Sequence, residues 1–164
     1  TAGADYVSTL TYAQVTNATS VVGEMNNEAS IAAIEAGQTF FSVDDEGNVI
    51  LEYDINSRVH IDSETPQDIK KNRPLRVYDT FANDLLITFR PGKFDNDDDG
   101  WAVVEGLGRS MLQNYADDGA LTNVNLDEDF LVDTGRSIGD SMYLNVGLQA
   151  VDSADKFYFS VIAR

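Results

Sequence analysis

Two segments near the end of the chain alternate in polarity with a period of two residues. Segments 143–151 and 156–164 each carry apolar side chains on one face: Leu144, Val146, Leu148 and Ala150 in the first, and Phe157, Phe159, Val161 and Ala163 in the second. Such alternation is typical of half-buried β-strands. No turn or cap signal follows the second strand, so it can pair with a sheet edge on its own chain or on a second copy. The pattern therefore favours assembly over catalysis as the first function to test.

Upstream, apolar residues at helical spacing predict two main helices. The first can be capped by Asn72 and ends before Pro91, and its apolar seam consists of Leu75, Tyr78, Ala82, Leu85 and Phe89, widened by Phe81 and Leu86. The second runs from about Trp101 to Ala116, with its apolar face at Val104, Leu107, Met111, Leu112 and Tyr115. Gly106 and Gly108 lie inside it, and each destabilises the helix by about 1 kcal/mol relative to alanine. They permit a close helix crossing or mark a later helix start.

A shorter helix and a hairpin precede these elements. Asn27 can cap a helix over 28–36, and a hairpin follows from strands 39–43 and 48–55. Gly47 lies in the connecting turn, where it is free to adopt a positive φ. The sequence thus predicts an N-terminal helix–hairpin segment.

Two further short strands, 124–126 and 130–132, complete the predicted elements. The fold class they indicate is α+β: a small mixed β-sheet with two main helices packed on it, plus the N-terminal helix–hairpin segment and a C-terminal edge strand.

The predicted organisation is a connector followed by one domain. Residues 1–26 are small and polar and indicate an extended connector, with one short extended piece over 6–12. The domain covers 27–164, with the helix and hairpin in 27–57 and the two-helix and sheet part in 72–164. Because the chain starts with Thr1, it is expected to be processed or to belong to a longer protein.

Charge and composition narrow the partners. The chain has 28 acidic and 11 basic residues, a net charge of −17, so it lacks the basic surface that nucleic-acid binding requires. Its one basic cluster, Lys70, Lys71, Arg73 and Arg76, is a plausible docking surface for an acidic face of a partner or of a neighbouring copy. Cysteine is absent, which excludes disulfides and thiolate sites and fits an intracellular origin. No apolar run approaches the roughly 20 residues of a membrane span.

The acidic loop 95–100 is the sharpest chemical motif. Asp95, Asp97, Asp99 and Gly100 match the first half of an EF-hand loop, but Gly106 occupies the position of the closing glutamate. The loop is therefore either a weak site for calcium or another hard cation, or an acidic turn whose last aspartate caps the following helix. An acidic calcium-binding module is the alternative function.

Catalysis finds little support in the sequence. His60 is the one histidine, and neither a nucleophile elbow nor a phosphate-binding loop is present. Because carboxylates are abundant, some will be paired by accident, so a hydrolase that uses exposed carboxylates has only that weak support. We predict no enzyme activity and no cofactor.

The order of motifs resembles the C-terminal portion of contractile phage (prophage) tail sheath proteins. The resemblance covers essentially the whole chain and is carried by segments 1–3, 8–12, 33–37, 48–57, 71–84, 96–100, 118–121 and 151–164. Family members usually carry a longer N-terminal half, which these residues lack. The loop after Arg90 is also more acidic than the family pattern.

The resemblance implies a structural subunit of a contractile tail or of a related bacteriocin. Such subunits polymerise around a tail tube, exchange terminal strands between copies, and contract to drive the tube through the host envelope without a cofactor. The expected partners are other copies and the tube protein, with no nucleic acid and no membrane insertion, and the expected location is a virion assembled in the host cytoplasm. The assembly strand would be Phe157, Tyr158, Phe159, Ser160, Val161 and Ile162. Lys70, Lys71, Arg73 and Arg76 would contact the tube or a neighbour.

Overall fold

The computed structural model describes residues 5–59 and 67–162, which divide into two compact units. Unit 1 contains the described residues of 8–73 and 152–162, and unit 2 contains residues 5–7 and 74–151. No described helix is long and apolar enough to cross a lipid bilayer.

Unit 1 contains a helix and a hairpin, as predicted. Helix α1 spans Asn27–Glu35, and its cap is Asn26, whose side-chain oxygen accepts a hydrogen bond from the Ala29 amide at 2.9 Å. The predicted cap, Asn27, is instead the first helical residue. This shift is within the usual uncertainty of helix ends, since both asparagines are good cap residues.

The hairpin consists of β1 (Phe41–Val43) and β2 (Val49–Leu51), which pair antiparallel. The Asp44 carboxylate accepts hydrogen bonds from the Glu46 and Asn48 amides at 3.0 and 2.8 Å, and Gly47 adopts a φ of 85°. The hydrogen bonds from Asn48 are the main cause of a lowered Asp44 pKa. The turn chemistry read from the sequence is thus confirmed.

Residues 12–15, within the predicted connector, pair with the other edge of β2. The Tyr12 and Val15 amides donate to the Leu51 and Val49 carbonyls at 2.8 Å each, and the Leu51 amide donates to the Ala13 carbonyl at 3.0 Å. The predicted extended piece over 6–12 forms no strand. The edge of β2 opposite β1 is therefore covered by the chain itself.

A buried carboxylate, Asp54, organises the centre of unit 1. It is 4% exposed and accepts hydrogen bonds from the Leu10 amide at 3.0 Å and from the Asn72 side chain at 2.9 Å. The Asn72 side chain also donates to the Ile55 carbonyl at 3.0 Å, so it acts as a donor here rather than as the predicted helix cap. These contacts join three segments that are distant in sequence.

Unit 2 packs the two main helices with a second antiparallel pair of strands. Helix α2 spans Asn72–Thr88 and belongs to this unit from Pro74 onward, and helix α3 spans Asp98–Asp117. Strands β3 (Phe130–Val132) and β4 (Leu144–Val146) pair with Phe130 opposite Val146. The core of this unit is formed by Val77, Phe81, Val104, Leu112, Tyr115, Ala120, Leu121, Phe130, Val132 and Ala150.

The buried stripe of α2 agrees with the predicted seam in part. Tyr78, Leu85 and Phe89 of the seam pack against the core. The fully buried residues, however, are Pro74, Val77 and Phe81, and Leu86 is 74% exposed. Apolar residues occupy two neighbouring columns of this helix, so periodicity alone could not decide which one is buried more deeply.

Helix α3 begins earlier than predicted because of its acidic start. The Asp97 side chain accepts a hydrogen bond from the Gly100 amide at 2.8 Å, and Asp98 and Asp99 occupy the first turn. Negative charge near the positive end of the helix dipole stabilises this start. Gly108 lies against the aromatic ring of Phe130, so its close approach is to β3 and not to another helix.

The α+β class is confirmed, but the strands of residues 5–59 and 67–162 form two antiparallel two-stranded sheets, where the sequence predicts one mixed sheet. One reason why no further strand joins β3 and β4 lies at the outer edge of β3. There the Glu105 carboxylate accepts a hydrogen bond from the Val132 amide at 3.0 Å. Glu105 is held by Arg109, also at 3.0 Å. This side chain occupies the place that a further strand would need. Segment 124–126 forms no strand.

Aromatic contacts tie residues 5–7 to the core of unit 2. The rings of Tyr6 and Tyr115 stack with centroids 5.0 Å apart, Tyr6 donates a hydrogen bond to Asp118, and Tyr115 donates one to Asp84 at 2.7 Å. The hydrogen bond to Asp118, together with burial, raises the pKa of Tyr6 to about 12. Burial and the hydrogen bond to Asp84 also raise the pKa of Tyr115. Both phenols are therefore held in their protonated form.

Candidate assembly segment

The C-terminal residues 157–162, called the terminal segment below, lie on the surface of unit 1 without a strand partner. Within the described part of the chain they belong to no strand and form no backbone hydrogen bond. The sequence predicted a half-buried edge strand here, but its apolar face finds no sheet edge in the described residues. Its large apolar side chains are mostly exposed: Phe157 70%, Tyr158 90%, Phe159 86%, Val161 91% and Ile162 81%.

The aromatic rings of the terminal segment show that its backbone is extended. Phe157 and Phe159 stack with ring centroids 6.5 Å apart and planes 17° from parallel. Residues two positions apart lie on the same face only in an extended chain. The segment therefore has the side-chain alternation of a strand, while both of its faces and its backbone hydrogen-bonding groups stay open.

The chain just before this segment is firmly attached to unit 1. The Lys71 ammonium group lies 2.6 Å from Asp155 and 3.0 Å from Asp152, and it donates a hydrogen bond to the Ser153 carbonyl at 3.0 Å. The Asp155 side chain is only 6% exposed and that of Lys71 is 23% exposed. Burial lowers the pKa of Lys71, but the hydrogen bonds and charges of the two carboxylates outweigh it and raise the pKa overall.

The predicted basic cluster is therefore not uniformly available to a partner. Lys71 is engaged within unit 1, and Lys70, Arg73 and Arg76 are each half-buried. The Lys70 carbonyl accepts a hydrogen bond from the Asn56 amide at 3.1 Å. Sequence reasoning missed the role of Lys71 because its two carboxylate partners lie about eighty residues away, and no local pattern links them.

The acidic loop shows no metal centre. In residues 5–59 and 67–162, no group of three or more His, Cys, Asp or Glu side chains is arranged to hold a metal ion. Of Asp95, Asp97 and Asp99, it is Asp97 that caps α3, whereas the sequence reading assigned the cap to the last aspartate. His60 lies outside the described residues.

Two family models of one class of structural protein match the chain. Residues 64–164 match the family model described as the phage tail sheath C-terminal domain, and residues 1–57 match the phage tail sheath protein central domain. The chain belongs to the phage tail sheath family, which is structural rather than catalytic, and the predicted resemblance is confirmed. The two matches are separated between residues 57 and 64, in the gap between the predicted helix–hairpin part (27–57) and the predicted two-helix and sheet part (72–164), although both parts were predicted to belong to one domain.

Individual relatives agree with this family. The chain is 29% identical to the protein XkdK of the phage-like element PBSX from Bacillus subtilis (strain 168). The alignment of 170 residues covers 98% of this chain and 36% of that protein. It thus spans about a third of the length of that curated relative.

Solved structures share the fold. The sheath tail protein from Desulfitobacterium hafniense superposes with a TM-score of 0.80 at 26% identity, over 94% of this chain and 36% of that one. The helical sheath of the anti-feeding prophage in its contracted state gives a TM-score of 0.72 at 15% identity, over 96% of this chain and 45% of that one. The second likeness supports the fold alone.

Proposed function

We propose that this chain is part of a tail sheath subunit that polymerises with copies of itself around a tail tube and contracts to drive the tube through the host envelope. The subunit would be a component of a phage or phage-like particle assembled in the host cytoplasm. The observation that carries the proposal is the terminal segment, an exposed, extended apolar stretch that follows residues 152–155 (called the root below), which are held within unit 1.

The terminal segment has the properties of a donated strand. Its open backbone groups can add to a sheet edge of a neighbour, and main-chain hydrogen bonds then supply affinity while alternate side chains enter the neighbour's surface. Burial of a large apolar side chain stabilises by about 1.5–3 kcal/mol. The exposed side chains of one face, Phe157, Phe159 and Val161, therefore provide a substantial driving force.

Strand donation of this kind produces an extended assembly. If each copy donates its terminal segment to the next, the contact is heterologous, with different surfaces on the two partners. Heterologous contacts generate either closed rings or open helical filaments. A sheath built as stacked rings or as a helix around a tube requires contacts of this type.

Electron microscopy of the full-length protein that carries these residues tests the proposal. We expect negative-stain images to show helical tubes, because the terminal segments link successive copies. A protein that stays monomeric under all conditions, with or without tube protein, would contradict it.

The basic residues Lys70, Arg73 and Arg76 are proposed to contact the tail tube or a neighbouring copy. Lys71 contributes less to this contact because its charge is paired with Asp152 and Asp155. We expect the triple replacement of these three residues by glutamate to reduce co-sedimentation of sheath with tube protein, because the attraction to an acidic face becomes repulsion. Circular dichroism serves as the folding control. Unchanged co-sedimentation of a folded variant would remove this contact from the proposal.

A further inference from the structure

One lysine side chain holds the root of the terminal segment. Three oxygen atoms surround the Lys71 ammonium group: it donates a hydrogen bond to the carbonyl of Ser153 and forms ion pairs with carboxylate oxygens of Asp152 and Asp155. All three acceptors lie within four consecutive residues, directly before the terminal segment begins. Among the described residues, Asp155 is the last one that forms a hydrogen bond or ion pair.

The acceptors are themselves arranged by local hydrogen bonds. The Ser153 amide donates to Asp152 at 2.7 Å, and the Ser153 hydroxyl donates to Asp155 at 2.8 Å. Each carboxylate thus uses one oxygen for Ser153 and presents the other to Lys71. Residues 152–155 thus form a small ordered loop around the Lys71 ammonium group.

The backbone of Lys71 is also fixed. Lys71 forms an isolated antiparallel bridge with Ile55, which is 5% exposed, and the neighbouring Lys70 carbonyl accepts from Asn56. A lysine on a mobile loop could follow the root as it moves. Lys71 instead ties the root to a buried part of unit 1.

We propose that Lys71 is a positioning residue for assembly: by holding Asp152, Ser153 and Asp155, it sets the point and direction at which the terminal segment leaves unit 1 towards a second copy. The effect on assembly rests on the proposed function, but the contacts of Lys71 with residues 152–155 are present in the isolated chain. A segment whose starting direction is fixed loses less conformational freedom on binding and is more often presented to its acceptor. Lys71 is thereby assigned a role within its own subunit, which differs from contact with the tube.

Spin labels can test directly whether Lys71 fixes the position of the root, because the chain has no cysteine and accepts labels at chosen sites. One label is placed at Glu28→Cys on α1 and the other at Phe157→Cys, two residues beyond Asp155. In the parent chain we expect a narrow distribution of distances between the labels. In Lys71→Met, which keeps the length of the side chain but removes its charge, we expect this narrow distribution to be lost.

Three controls separate positioning from general loss of structure. Lys70→Met removes the neighbouring charge and should keep the narrow distribution, and Lys71→Arg, which keeps the charge, should restore it. A label pair at Glu28→Cys and Asp45→Cys, both within unit 1 and away from the root, should be unaffected by Lys71→Met. A narrow distance from Glu28 to Phe157 in Lys71→Met, or equal broadening in both methionine variants, would overturn the proposal.

The assembly step is then tested in the full-length protein. We expect Lys71→Met to slow the formation of sheath tubes, followed by light scattering, while Lys71→Arg assembles like the parent. Normal assembly of Lys71→Met despite a loosened root would overturn the positioning role. If the full-length parent forms no tubes at all, the proposed function fails, whereas the label distances still decide whether Lys71 holds the root.

Discussion

Replacement of Gly108 by alanine is expected to destabilise unit 2 strongly. A Cβ atom at this position would lie 2.1–2.3 Å from three ring atoms of Phe130. The Phe130 side chain is fully buried, so it has no free space into which to move. Overpacking of a core costs about 1–3 kcal/mol, and here the upper end applies because the obstacle is a buried aromatic ring. The higher helix propensity of alanine offsets about 1 kcal/mol of this cost, so the free energy of unfolding should fall by about 2 kcal/mol.

The same helix supplies a matched control, Gly106→Ala. A Cβ atom at Gly106 would meet nothing within 4 Å, so this variant should gain about 1 kcal/mol from helix propensity alone. Urea denaturation followed by circular dichroism measures both changes. If both alanine variants raise the denaturation midpoint, the close packing of α3 on β3 is wrong.

Paired proline substitutions in the terminal segment, Tyr158→Pro with Phe159→Pro, are expected to abolish tube formation by the full-length protein. Successive residues of a strand direct their amides to opposite sides, so two consecutive prolines remove a ladder donor whichever side pairs with the neighbour. Proline also disfavours extended pairing in all but edge positions.

The stability of the isolated chain should not follow this loss of assembly. Tyr158 and Phe159 are 90% and 86% exposed, so the double variant should stay within about 0.5 kcal/mol of the parent in unfolding free energy. The matched variant, Tyr158→Thr with Phe159→Thr, keeps both amides and the preference for β-structure. It should assemble better than the proline variant. Equal tube formation by the proline variant and the parent would exclude pairing of the segment's backbone.

The local elements of the fold could be predicted from the sequence because their signals are local. The hairpin follows from alternation around a turn in which Asp44 accepts backbone hydrogen bonds and Gly47 takes a positive φ. The start of α3 was missed by three residues because its cap, Asp97, lies within a run of similar aspartates. Composition and periodicity thus locate an element more reliably than they locate its end.

Contacts between distant segments could not be predicted in the same way. The contact of Lys71 with Asp155 and the edge protection of β3 by Glu105 both join residues far apart in sequence. Neither pair carries a pattern that distinguishes it from the many other charged residues of this acidic chain. The terminal segment presents a third case: its alternation predicts a strand, but residues 157–162 form none, and the described chain contains no sheet edge that pairs with them.

Hydrogen exchange of the backbone amides of residues 157–162 tests most directly whether the terminal segment links copies of this protein. In the isolated chain these amides should exchange at the rate of an open peptide, because none of them is hydrogen-bonded within the described residues. In assembled tubes of the full-length protein, we predict that alternate amides of the segment become protected, as they do when one edge of a strand is paired. Rapid exchange of all these amides in well-formed tubes would contradict the account.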